Sequence, residues 1–210
     1  MNTTDFDELR SFAMEAYRLS PYLAYRPILL PGGELDRAVD AFIEQEADEF
    51  CWSPCQTPDF LAQLVRAGFL SITTPLAPRP SEKHLLLPKL HFERCVIEPV
   101  QAVKISRSHR KQAKHYRFTV NRSFDEVAEA CVRQHGYNWL GYVRSTLAEL
   151  HAQPRRGVSC ISIEIWNQDD QLVAGELGTI VGAMYTSMTG FSEESGAGSV
   201  QLVALGAYLY

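Results

Sequence analysis

The chain has 210 residues, of which 46% are hydrophobic and 21% charged, and its formal net charge is −5. These proportions exclude the disordered, collagenous and coiled-coil classes, and the length allows one large domain or two small ones. A charged residue interrupts every apolar stretch before the roughly 18 residues that a membrane span requires. The start, MNTTDFDELRSF, is acidic and has no apolar run, so neither a secretory leader nor an Arg-rich transit peptide is expected. Five Cys is an odd number for a disulfide framework and points to reduced thiols.

Phe6, Leu9, Phe12, Ala13 and Ala16 recur at helical spacing and predict a helix over 5–19. Residues 22–30 read as extended and end at the turn Pro31-Gly32-Gly33. A second helix over roughly 34–47 buries Leu35, Ala38, Val39, Phe42 and Ile43. Thr57 is an N-cap signal with Pro58 at the first helical position. Phe60, Leu61, Leu64 and Val65 form that helix's stripe, and Gly68 ends it. The Pro-rich residues 71–84 read as a loop, and 84–99 as two short strands broken by Pro88. A boundary near 100 separates an N-terminal domain, 1–100, from a second domain, 101–210.

In the second half, Ser106 caps a short basic helix that ends near His115, and 116–120 is a strand. Ser123 and Glu126 form a capping-box pattern before a helix with Phe124, Val127, Ala128 and Cys131 on one face. One further helix carries Trp139, Val143, Thr146, Leu147 and Leu150. Strands are predicted over 158–166, 171–180 and 183–191, with turns at 167–170 and 181–182. A Gly-rich loop, 194–198, opens a last helix that is still running at Tyr210. The order of elements predicts an α+β fold with a mainly antiparallel sheet flanked by helices. The apolar final helix has no stop signal, so truncation of the C-terminal strands is expected.

The modest net charge conceals an asymmetry. Residues 1–50 carry eleven acids against four Lys or Arg, whereas 101–122 carry seven Lys or Arg and no acid. Cations gathered in one place can hold a polyanion even in an acidic protein. Cys51 and Cys55, with His91 and Cys95, have the elements of a zinc site but not a tight ligand spacing, and buried free thiols are the commoner case. The loop 194–198 before a helix is a candidate anion cradle.

Four segments in order resemble the leucyl/phenylalanyl-tRNA–protein transferases. Residues 103–111 are similar to the family's basic S-R-S-x-[RK]-[RK] stretch, followed by the strand 116–120 and a helix ending in Cys131. Trp139 with Leu150-His151 is similar to its T-W-I…L-H. Ser162-Ile-Glu-Ile-Trp166 with Leu172–Gly175 is similar to S-[VI]-E-[VI]-W…L-V-G-G. Residues 182–202 align without a gap to G-x-x-F-x-G-E-S-M-F-S-x4-A-S-K-x-x-L. The N-terminal half matches only loosely, through residues 59–69.

The resemblance implies a GNAT-like catalytic domain behind a smaller N-terminal domain. It implies transfer of Leu or Phe, also Met, from aminoacyl-tRNA to the α-amine of proteins with N-terminal Arg or Lys, marking them for degradation. Lys104, Arg107, Arg110, Lys111 and Lys114 would hold acceptor-stem phosphates, and Trp139 would stack on the terminal adenine. Tyr185, Leu202 and Leu205 would line the aminoacyl pocket, with Met188, Thr189 and Gly190 at the E-S-M positions of the same site. No metal or organic cofactor and no membrane partner is implied; the expected protein is a cytoplasmic monomer.

The departures bear on mechanism. The family's Glu of G-E-S-M falls on Met188, and Glu176 stands where the family has Leu or Met. Glu176 is the candidate for the lost carboxylate's place near the attacking amine; alternatively, it alters the amino acid accepted. The family's D-x-Q motif lies beyond the last helix, and Asp169-Asp170-Gln171 mimics its letters only in a hairpin turn. Two rival readings remain open. One is an acyl-CoA enzyme using the 193–198 loop, although two Glu beside a pyrophosphate are unfavourable. The other is a catalytically degenerate homologue that binds tRNA or a peptide.

Overall fold

The structure is a computed structural model that describes residues 3–44, 49–76, 83–98 and 105–209. In chain order the elements are α1 (Thr3–Leu19), a 3-10 turn (Pro21–Tyr25), α2 (Leu35–Glu44), α3 (Pro58–Arg66), β1 (Leu70–Pro75), β2 (His84–Lys89), α4 (Arg107–Ala113) and β3 (Arg117–Val120). They continue as α5 (Phe124–His135), α6 (Tyr137–Leu140), α7 (Arg144–Ala152), β4 (Val158–Trp166), β5 (Leu172–Val181), β6 (Met184–Ser192) and α8 (Ala197–Leu209). Two units emerge. Met1–Glu93 joins Tyr137–Leu150 in the first, and Arg94–Gly136 joins His151–Tyr210 in the second. The fold is α+β.

In the first unit, Ala13 and Ala16 of α1 pack with Leu23, Trp52, Leu76 and Leu85. The indole of Trp52 meets Tyr17 edge-on at 5.2 Å and donates to the Leu23 carbonyl at 3.2 Å. The chain at 21–25 is a 3-10 turn, not extended: Pro21 pre-sets the first turn and Leu23 N–H returns to the Ser20 carbonyl at 3.0 Å. The α3 start is as its sequence predicts, with Thr57 Oγ1 accepting from Phe60 N–H at 3.4 Å. Gly68 closes the helix at φ +93°, where a side chain would be strained.

Three further expectations in this unit are corrected. Residues 70–75 are a strand rather than a loop, because Ile72, Thr73 and Thr74 are β-branched and the burial alternates over 70–73. Residues 77–82 lie outside the described residues. Residues 84–89 form one strand through Pro88, in register with β1 as Ser71↔Pro88. The Pro88 carbonyl accepts from Cys51 N–H at 2.9 Å, so the residue's hydrogen-bonding side faces away from β1 and the missing N–H costs that ladder nothing. The expected single helix around Trp139 to Leu150 is two, α6 and α7, separated by a turn at 141–143. Thr73 Oγ1 donates to the Asn138 carbonyl at 3.0 Å, and Thr146 Oγ1 to the Gln56 carbonyl at 2.9 Å, which ties this excursion to the first unit.

The second unit is a four-stranded antiparallel sheet in the order β3-β4-β5-β6. Alternation along the strands assigns its faces. Ile161, Ile163 and Ile165 of β4 meet Ala197, Val200 and Leu205 of α8. The intervening position Glu164 pairs with Gly175, where a Cβ would lie 3.2 Å from Val127 of α5. Thus α8 covers one face and α5 the other. A β-bulge interrupts the β5–β6 ladder: Leu177 pairs with Thr189 and Gly178 with Ser187, leaving Met188 as the extra residue.

Candidate active site

The α8 face of the sheet has an apolar centre. Ile161, Ile163 and Leu205 pack there with Phe118, Val120, Ile180 and Tyr185. Among them Glu176 of β5 is buried, with a relative exposure of 7%. Its Oε1 accepts from the Tyr185 hydroxyl and its Oε2 from the side-chain amide of Gln201 on α8. Burial pushes the Glu176 carboxyl above the usual carboxylate range, and the hydrogen bonds from Tyr185 and Gln201 pull it partly back. Burial, with the Glu176 charge beside it, likewise raises the Tyr185 phenol. The Tyr185 ring lies over Gly178, where a Cβ would come within 2.2 Å of its Cζ. Glycine is required there for close approach.

The opposite face carries a second buried carboxylate, Glu164 of the Ser162–Trp166 motif. It is fully buried and accepts four hydrogen bonds: Thr119 Oγ1 and Ser162 Oγ at 2.6 Å each, Arg122 N–H at 3.1 Å and Ser123 N–H at 3.2 Å. Trp166 Nε1 donates to the same Thr119 hydroxyl at 2.7 Å. Glu164 therefore fixes the turn between β3 and α5. It also replaces the expected capping box: Ser123 N–H goes to Glu164, and Glu126 is left with the Ser123 hydroxyl at 3.4 Å. His151, of the Leu-His pair, donates through Nδ1 to the Cys160 carbonyl at 3.0 Å and stacks on Phe124 at 4.5 Å.

The basic run divides. Ser106 Oγ caps α4 by accepting from His109 N–H at 3.1 Å. Arg107, Arg110, Lys111 and Lys114 are exposed, and among the described residues none of the four is paired with a carboxylate. The α4 helix packs against α8. Arg117 and Arg122 instead stack over the Trp166 ring at 5.2 and 5.7 Å, and Arg117 pairs with Asp170 at 2.6 Å. Since Phe118 faces α8, Arg117 points to the α5 face. Lys104 lies outside the described residues.

Of the residues singled out from sequence, Glu176, Tyr185 and Leu205 converge on the α8 face, and Gly190 pairs with Glu176 across the ladder. Met188 occupies the bulge. Thr189 is buried on the α5 face beside Cys131, whose thiol burial pushes up to about 11. Leu202 is on the exposed side of α8, with a relative exposure of 49%. Trp139 is partly buried on α6, in the first unit. Sequence reasoning overlooked Gln201. Gln201 had a signal, since its spacing from Ala197 puts a polar residue on the packed side of α8.

The loop of the candidate anion cradle is tied to neighbouring side chains. Glu194 Oε1 accepts from Asn167 at 2.8 Å and its Oε2 from the Tyr116 hydroxyl at 3.1 Å. Glu193 pairs with Arg133, and the Gln112 side chain lies against Gly196. Among the described residues no group of three or more His, Cys, Asp or Glu is placed to hold a metal ion; Cys55 Sγ meets Thr57 Oγ1 at 3.5 Å.

Comparison with known proteins gives one consistent result. The family model for leucyl/phenylalanyl-tRNA protein transferase matches residues 96–210. The chain is 34% identical over 113 residues to the leucyl/phenylalanyl-tRNA–protein transferase of Tolumonas auensis, covering 53% of this chain and 48% of that one. The protein of the same name from Pectobacterium carotovorum is 31% identical over 113 residues, covering 53% and 47%. That from Yersinia pestis is 33% identical over 114 residues, covering 52% and 46%. The match spans about half the length of each of these curated relatives.

Proposed function

The chain belongs to the leucyl/phenylalanyl-tRNA protein transferase family, and on that premise we propose that it transfers Leu, Phe or Met from charged tRNA to the α-amine of proteins whose N-terminal residue is Arg or Lys. The product would be a protein marked for degradation, made in the cytoplasm by a monomer whose second unit has a GNAT-like fold. The observation that carries this reading is the pairing, within the second unit, of an exposed basic helix with a buried carboxylate on the sheet face under α8.

The chemical demands are modest. The aminoacyl ester is already activated, so the protein must position a neutral amine and accept a proton. Glu176 is the proton acceptor in this reading. The family Glu falls on Met188 of β6, and Glu176 lies on the neighbouring strand, β5. Arg107, Arg110, Lys111 and Lys114 hold backbone phosphates, which position the tRNA without reading its sequence. Trp139 is assigned the terminal adenine, and Tyr185 and Leu205 the aminoacyl side chain. An acyl-CoA reading is disfavoured, because Glu193 and Glu194 put negative charge beside the loop that would hold a pyrophosphate and Gln112 lies against its Gly196.

The test is mass spectrometry of peptides with N-terminal Arg, Lys or Ala after incubation with the chain, a mixed aminoacyl-tRNA pool and acetyl-CoA. A gain of Leu, Phe or Met on Arg and Lys peptides alone is the expected result. An acetyl mass would move the activity to the CoA class. Salt-dependent tRNA affinity without product would make the chain a binding homologue, the reading that Met188 in place of Glu favours.

A further inference from the structure

The two buried carboxylates of the second unit are held differently. Glu164 has no exposure and accepts from four donors, which fixes the turn before α5. Glu176 keeps 7% and accepts a hydrogen bond on each oxygen, from the Tyr185 hydroxyl and the Gln201 amide. A carboxylate offers about four lone-pair sites, so acceptor capacity remains. The two donors come from different elements, the neighbouring strand β6 and the helix α8, and together they fix the orientation of the carboxylate. Gly190, the cross-strand partner of Glu176 on β6, puts no side chain over it; a Cβ there would lie 3.2 Å from the Glu176 Cβ. Gln201 is itself buried, on a helix whose other buried residues are Ala197, Val200 and Leu205. Apolar side chains of like size in place of both partners would cost such a wall little stability, so packing does not account for a buried Glu joined to a buried Gln.

We propose that Tyr185 and Gln201 are positioning residues, each holding one oxygen of Glu176 so that a remaining lone pair receives the proton of the acceptor α-amine. This rests on the aminoacyl-transfer reading and specifies which groups fit Glu176 for its part in it. The amine lone pair attacks the aminoacyl carbonyl, forming the C–N bond as the amine proton passes to Glu176. Collapse of the tetrahedral adduct breaks the ester C–O bond, and Glu176 gives the proton to the departing ribose oxygen. An amide and a free tRNA hydroxyl result, and Glu176 ends ionised as it began. Both partners donate, so both favour the ionised carboxylate against the burial that opposes it. The other titratable groups around it are Tyr185 on β6, Cys131 on α5, Cys160 on β4 and His135, which is bonded to the Gly190 carbonyl at 2.6 Å. Burial raises the phenol and both thiols, Cys131 to about 11 and Cys160 to about 12, so these three stay protonated near neutral pH.

The test is steady-state transfer by the full chain from charged tRNA to an N-terminal Arg peptide, for the unaltered protein, Gln201→Met and Tyr185→Phe. Met keeps the length of Gln, and Phe keeps the ring over Gly178, so each variant removes one hydrogen bond to Glu176. Each is expected to lower kcat about 10-fold near neutral pH with both KM values unchanged. In the unaltered chain kcat rises with pH as Glu176 ionises, and that limb should move to higher pH in both variants. A limb that belonged to His135 would stay in place. The Glu176 carboxyl signal, followed by carbon NMR without substrates, should titrate at higher pH in both variants as well. Equal melting of the three chains separates lost chemistry from lost fold. A limb and a carboxyl signal that stay in place in both variants overturn the positioning role and leave aminoacyl transfer standing. A defect confined to KM also overturns it and makes the two side chains binding residues. No product from the unaltered chain removes the transfer reading, and the positioning role with it.

Discussion

Two buried carboxylates on opposite faces of one sheet do different work. Glu164 accepts from four donors, two of them backbone N–H groups at the start of α5. Glu164→Gln would turn an –NH2 group toward donors that need an acceptor. The expected cost is on the order of 3 kcal/mol, read as a melting temperature lower by about 6–12 °C. Glu176 instead has a raised carboxyl, because desolvation outweighs its hydrogen bonds. The folded state therefore holds that proton more tightly than the unfolded chain. The stabilisation is complete below the unfolded value near 4.5 and is lost as pH rises through the raised folded value. Glu176→Gln stays neutral, so its stability relative to the unaltered chain should grow with pH across that window in urea titrations. A third test concerns space: Gly178→Ala would place a Cβ 2.2 Å from the Tyr185 ring and expel it from Glu176. A destabilisation of about 1–3 kcal/mol is expected, together with loss of transfer.

Among the elements, α4 gathers the usable positive charge. It is seven residues long and buries none of them, so its Ser106 cap and its packing on α8 hold it in place. If it grips phosphates, each contact contributes about 0.7–0.9 to the slope of log affinity against log salt. The Arg110→Ala, Lys111→Ala double variant should therefore reduce the tRNA slope by about 1.4–1.8, measured by fluorescence anisotropy over a salt series. Arg117→Ala removes a guanidinium on the other face, already stacked on Trp166 and paired with Asp170, and should change the slope less. The α8 helix explains why a polar cluster survives in an apolar wall. Gln201 lies on its packed side with Val200 and Leu205 and supplies the amide that satisfies Glu176.

At the scale of the whole molecule, the chain does not divide at one cut. Residues 137–150 return to the first unit, through the hydroxyls of Thr73 and Thr146 bonded to carbonyls of Asn138 and Gln56. A fragment 1–100 lacks α6 and α7 and should unfold without a cooperative transition by circular dichroism. Adding 137–150 through a flexible linker should restore cooperativity to that unit. A sharp transition in the bare 1–100 fragment would refute this division.

Much of the second unit was legible in its sequence because its signals are local. The three strands 158–166, 171–180 and 183–191 are set apart by their hairpin turns, which use residues suited to positive φ, Asp170 at +57° and Gly182 at +58°. The caps at Thr57 and Ser106 act within three residues and formed as read. The basic stretch, the Ser162–Trp166 motif and Glu176 were visible as letters. Elsewhere distant groups decided. The Pro-rich composition of 71–84 concealed β1, whose strand character depends on pairing with β2. The Ser123 capping box lost its backbone donor to Glu164, 41 residues away. Of the cations in one run, four lie exposed on or beside α4, whereas strand alternation turns Arg117 to the α5 face. The joining of Glu176, Tyr185 and Gln201 required the β5–β6 register and the turn of α8. Capping and turn chemistry act over a few residues and can be read from order alone; register and burial bring together groups that the chain keeps apart.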